Sequence, residues 1–113
     1  MKLSIRSLLQ TASAGNHVTI YDGELTLKPA HDGITVSLQP HVGPHEGDPE
    51  SRELARLAIK EGAEAALAAL NLGATIVITR LLIHPTDFKP WRYKALTKEA
   101  ILKHLSEETG EDR

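Results

Sequence analysis

The chain contains no cysteine, which excludes disulfides and thiolate metal sites and fits a reducing compartment. Aromatic residues make up only 4% of the 113 residues, so a core has to be assembled mainly from Leu, Ile, Val and Ala. No stretch approaches the roughly 20 consecutive apolar residues that a membrane-spanning helix requires. Neither sign of charge dominates. A net charge of −2 argues against a generally basic, nucleic-acid-coating surface. No serine sits in a G-x-S-x-G nucleophile elbow, and without cysteine the common nucleophile arrangements are missing.

At the N-terminus, Lys2 precedes an apolar run from Leu3 to Leu9, and Ala12-Ser13-Ala14 has the shape of a cleavage site. Ser4, Arg6 and Ser7 interrupt that run, so no uniform apolar region of a signal peptide forms. Residues 1–15 are expected to be a structured N-terminal segment, 16–106 the core of a single domain, and 107–113 a polar tail. The length fits one domain, and the expected location is cytoplasmic.

What is present is unevenly distributed. Between Lys89 and Lys103 the positive residues Lys89, Arg92, Lys94, Lys98 and Lys103 face only Glu99. Acidic residues gather at Glu46–Glu53 and Glu107–Asp112. A local basic patch on an acidic molecule follows from that arrangement.

Leu25, Leu27, Ile34, Val36 and Leu38 recur at every second position in two short runs, the pattern of strands with one buried face. Pro29-Ala30-His31-Asp32-Gly33 reads as the turn between them. Val18 to Tyr21 is a shorter run of the same kind, and Asp22-Gly23 predicts a tight hairpin. Asp48 and Pro49 predict a helix start, with the helix running to about Asn71. Its apolar stripe is expected at Leu54, Leu57, Ala58, Ala65 and Ala69, widened by Ile59, Ala63, Ala66, Leu67 and Leu70. Gly62 in mid-helix implies a tight backbone contact. Ala74 to Ile83 is apolar on both parities, as for a strand buried on both faces or bulged near Arg80. A last helix is expected from Ala95 or Leu96. The order β-β-β-α-β-α gives an α/β two-layer sandwich with a mostly antiparallel sheet and one β-α-β crossover.

That crossover makes its two strands parallel, so the loops after them emerge at one end of the sheet. His41, His45, Glu46, Asp48, His84, Asp87, Lys89 and Arg92 are expected there, together with the Asp22-Gly23 turn. His84 and Asp87 can pair, the carboxylate fixing the imidazole tautomer, or Asp87 can cap the following turn. His41, His45 and His84 are candidate metal ligands if the two loops fold together. Lys89-Pro90-Trp91-Arg92-Tyr93-Lys94 combines cations for phosphates with rings for stacking; alternatively, Phe88, Trp91 and Tyr93 anchor the final helix.

Ala58-Ile59-Lys60-Glu61-Gly62, then Ala66-Leu67, a strand, His84-x-x-Asp87 and a helix through Ala100-Ile101 resemble domain IV of elongation factor G. A similar domain occurs in tetracycline-resistance ribosomal protection proteins. Gly23 to Pro29 is similar to that domain's first hairpin strand, and the likeness spans about residues 23 to 105. It implies the ribosomal protein S5 domain 2-like fold, with His84 and Asp87 at the tip that enters the ribosomal decoding region. No G-x-x-x-x-G-K-[ST] loop occurs in these residues, so GTP hydrolysis is not implied. The resulting expectation is a non-enzymatic binding module without cofactor. It would engage structured RNA or the ribosome through loops 40–48 and 84–94, using His84, Asp87, Lys89, Trp91, Arg92 and Lys94. The alternatives are a protein-interaction or oligomerisation module using an exposed sheet face, and a His-based metal-binding protein.

Overall fold

A computed structural model describes residues 1–11, 15–40, 43, 47–84 and 88–108. Strands β1 (Lys2–Thr11), β2 (Gly15–Pro29) and β3 (Ile34–Leu38) precede helix α1 (Pro49–Leu67). Strand β4 (Leu72–Leu82) and helix α2 (Pro90–Glu108) follow. The four strands form one mixed sheet in the order β1-β2-β4-β3, antiparallel except for the β3–β4 pair. Both helices cover one face, α1 over β3 and β4, α2 over β1 and β2. The result is a two-layer α/β sandwich measuring 38 × 33 × 19 Å.

The order of element types is as the sequence predicts, but the first strands differ. Asp22-Gly23 is not a hairpin turn. It lies inside the 15-residue strand β2, with Asp22 opposite Arg80 and Gly23 opposite Ile78. Its hairpin partner is β1, the segment set apart as N-terminal, whose Leu3 and Ile5 are buried while Ser4 and Arg6 are exposed. Nor are β2 and β3 neighbours: β4 inserts between them, and the connection runs through a short 3-10 turn, Ala30–Asp32. Strand pairing is a tertiary choice, and β4, the most apolar strand, gains most from the central place.

The bulge expected near Arg80 is present. Between the Gly23–Ile78 and Asp22–Arg80 pairs, Thr79 has no opposite residue. The extra residue switches parity, so Ile76 and Ile78 point into the core before it and Leu81 and Ile83 after it.

Helix α1 opens as the sequence predicts, with the Asp48 carboxylate accepting the Ser51 amide at 2.7 Å and Pro49 in the first turn. That amide holds the Asp48 carboxyl below the usual carboxylate range. The helix ends at Leu67, continues as a 3-10 turn to Leu70, and reverses through Asn71 at φ 55°. Its buried side is the expected widening of the stripe, with Ala58, rather than the stripe's leucines. Ala55, Ile59, Ala63, Ala66 and Leu67 face the core with Ala58, while Leu54, Leu57, Ala65, Ala69 and Leu70 are exposed. Small side chains let the helix lie close to its neighbours. Gly62 is the closest approach: a Cβ there would strike the Lys94 carbonyl oxygen, so the tight contact is with α2.

Helix α2 begins at Pro90, ahead of the Ala95 or Leu96 start that the sequence predicts. Pro fits a first helical turn because its missing amide proton has no intrahelical partner there. Tyr93, Thr97 and Ile101 form the buried side.

Candidate nucleic-acid interface

The parallel β3–β4 pair carries its following loops, 39–48 and 83–89, to the same end of the sheet. The β1–β2 hairpin reaches that end too. Its pairs run from Lys2–Glu24 to Thr11–Gly15, whereas β2 pairs with β4 only from Ile20–Leu82 onward. The outer part of the hairpin therefore continues past the end of β4 as a two-stranded ribbon. Sequence reasoning expected a hairpin at this end and assigned it to the wrong residues. The period-two alternation of Lys2-Leu3-Ser4-Ile5-Arg6 is the signal for the right ones.

His41, His45, Glu46 and Asp87 lie outside the described residues, and with them the His84–Asp87 pairing and most of the proposed metal set. Among the described residues no group of three His, Asp or Glu side chains is gathered to hold a metal ion. His84 follows the end of β4 and is half-buried. Lys89 sits immediately before α2, half-buried, and its carbonyl accepts the Arg92 amide at 3.0 Å.

The first turn of α2 sends its side chains three ways. Tyr93 is fully buried; its hydroxyl donates to the Leu82 carbonyl at 2.7 Å, and Phe88 meets its ring edge-on at 5.4 Å. Tyr21 stacks on Tyr93 at 6.2 Å and shares a 2.5 Å hydrogen bond with Thr97. Burial pushes both tyrosine hydroxyls well above their ordinary pKa. These rings anchor the helix. Arg92 turns to β1, donating to Ser7 Oγ at 2.7 Å, with its Nε and the Thr19 hydroxyl buried and unpartnered among the described residues. Trp91 and Lys94 face outward over α1. The Trp91 ring is 56% exposed, with the Arg92 guanidinium 5.7 Å from its centre, and Lys94 Nζ is 3.8 Å from Glu61.

No protein-family model matches the chain, and no curated protein matches it. A crystal structure of a protein from Thermus thermophilus is similar over 90% of this chain, with a TM-score of 0.51 and 18% identity. The chain spans 15% of that protein's length. At that identity the likeness is one of fold. No described helix is long and apolar enough to cross a membrane.

Sequence reasoning missed a groove of about 370 Å³ between the outer sides of the helices, lined by Leu54, Leu57, Ala58, Glu61, Pro90, Trp91 and Lys94. Its signal is the second apolar stripe of α1, read as core. The sheet face away from the helices is the opposite case. There Arg6 and Ser4 bind the Asp22 carboxylate at 2.9 and 3.1 Å, and Glu24, Thr26 and Thr75 surround Val77.

Proposed function

We propose that the chain is a non-enzymatic module of the ribosomal protein S5 domain 2-like kind that engages structured RNA, as on the ribosome, through the end where loops 39–48 and 83–89 emerge. The observation that supports this reading best is the parallel β3–α1–β4 crossover, which brings both loops beside Lys89 and the cationic start of α2. Phosphate attraction would rest on Lys89 and the first cations of α2, against the Glu46 and Asp48 that loop 39–48 carries to the same end. His84 and Lys89 are the contacts proposed at the loops, with Asp87 orienting them. Arg92 has a structural role as well, since its guanidinium ties α2 to β1. The resemblance to elongation factor G domain IV supplies the partner class.

The test is co-sedimentation with ribosomes across a salt series, comparing wild type with Lys89→Ala. About four phosphate contacts make log K fall with log salt at a slope near −3, and loss of one contact makes the slope shallower by about 1. Arg92 is left in place so that the seam between α2 and β1 stays closed. Wild type remaining at the top of the gradient at low salt removes the reading.

A further inference from the structure

The helical layer has an outer surface that its own fold does not cover. Leu54 is 46% exposed, Leu57 39%, Trp91 56% and Leu102 41%. They sit on adjacent helices of a chain whose aromatic content is low and whose only tryptophan is Trp91. Apolar side chains gathered in this way mark a contact surface more than single exposed leucines do.

The charges around these residues say what fits. Beside the groove, α1 exposes Glu61 and Glu64, with Lys60 half-buried between Leu57 and Glu61, and α2 exposes Lys94 and Lys98, followed by an exposed Glu99. The two helices run in the same direction, because Leu54 and Leu57 lie level with Pro90 and Trp91, and Gly62 lies level with Lys94 and Thr97. Within one molecule Lys94 and Glu61 meet at the edge of the groove, 3.8 Å apart. Along the groove, the pair Glu61 and Glu64 on α1 runs beside the pair Lys94 and Lys98 on α2.

Such a surface is complementary to itself. Rotation by a half-turn about an axis lying in the face and parallel to the helices sets α1 of one molecule over α2 of the other. Leu54 and Leu57 then cover the partner's Trp91, and Glu61 and Glu64 approach the partner's Lys94 and Lys98. A two-fold contact repeats each of these pairs. Rotation about the perpendicular axis sets acid over acid and base over base, which is repulsive. We infer that a second copy of this chain docks on the helical face as a two-fold dimer, each α1 lying over the partner's α2. A specific dimer buries about 800 Å² per partner, an area that a face of this 38 × 33 Å slab can supply. The same axis leaves both loop-bearing ends pointing one way, so the dimer presents two of them side by side. The dimer shares Lys94 with the cationic start of α2, so the two readings are separated by Lys89→Ala for RNA and Leu54→Ser/Leu57→Ser for the dimer.

Sedimentation velocity over a concentration series, with Trp91 fluorescence on the same samples, tests the inference. Wild type is expected to shift from the 12.3 kDa monomer to a dimer, and the emission to move to shorter wavelength as Trp91 is covered. The charge-reversal variants Glu61→Lys/Glu64→Lys and Lys94→Glu/Lys98→Glu should each self-associate at least about tenfold more weakly, since like charges then oppose across the interface. Mixed in equal amounts they should form a heterodimer, because every cross-pair is again opposite in sign. Leu54→Ser/Leu57→Ser should remain monomeric with an unchanged far-UV circular dichroism spectrum. Wild type that stays monomeric with concentration-independent emission overturns the inference. So does a mixture of the two reversal variants that fails to associate.

Discussion

At the residue scale, a few contacts decide how closely the helices pack. Gly62 is buried, and an added Cβ would press on the Lys94 carbonyl oxygen and lie 3.0 Å from Thr97 Cβ. Helix propensity alone favours Gly62→Ala by about 1 kcal/mol. Overpacking against backbone that cannot rotate away costs about 1–3 kcal/mol. The variant should therefore be less stable, read as a lower urea midpoint with an unchanged slope. The buried Tyr21–Thr97 hydroxyl pair offers a second case. Thr97→Val leaves the Tyr21 hydroxyl without a partner and should cost about 1–3 kcal/mol. Tyr21→Phe should cost less, because a helical threonine can turn its hydroxyl to the carbonyl four residues earlier. In a double-mutant cycle the combined loss should fall short of the sum of the two single losses.

At the scale of elements, each unusual feature reconciles two demands on one segment. The bulge at Thr79 lets β4 keep Ile76 and Ile78 inward and still aim Leu81 and Ile83 at the core. Helix α1 has apolar residues on more than one side; its alanine-rich side takes the close packing, and Leu54 and Leu57 are left at the groove. On the open sheet face, hydrogen bonds from Arg6 lead the causes that hold the Asp22 carboxyl below its usual range. A depressed folded-state pKa contributes stability above the unfolded carboxylate pKa, and that contribution is lost as pH falls through the lower folded value. Asp22→Asn should flatten the acid limb of a stability–pH profile. The difference should be at most about 0.5 kcal/mol, because an ion pair this exposed is screened by water. Chemical denaturation at a series of acid pH values measures it.

For the whole molecule, topology determines which parts hold out longest. Strand β4 is central, paired with β2 on one side and β3 on the other, and contains the fully buried Ile76 and Ile78. Strand β1 is an edge paired only with β2. Native-state hydrogen exchange should find β4 amides opening only with global unfolding and β1 amides exchanging through smaller openings. Equal protection across both strands would contradict that ordering. The same topology collects the loops at one end and leaves the helical face as a second surface, so the proposed RNA contact and the inferred dimer are tested by different variants, Lys89→Ala and Leu54→Ser/Leu57→Ser.

The sequence by itself determined the local matters: the period-two runs of β2 and β3, the Asp48-Pro49 start of α1, the long apolar β4, and the parallel crossover that places two loops together. Each depends on neighbours in the chain or on the reach of a connecting helix. Tertiary structure decided the rest. Asp22-Gly23 has turn chemistry, yet pairing with both β1 and β4 holds it extended inside a strand. Leu54 and Leu57 have the spacing of a core stripe, yet alanine and glycine packing against the sheet and α2 turns them outward. The Trp91-Arg92-Tyr93 triplet reads as one basic, aromatic motif, and helix α2 sends its members to a groove, a strand and the core. The physical reason is common to all three. Spacing along a chain fixes which residues can share a face, and only competition among the packed elements chooses which face is buried.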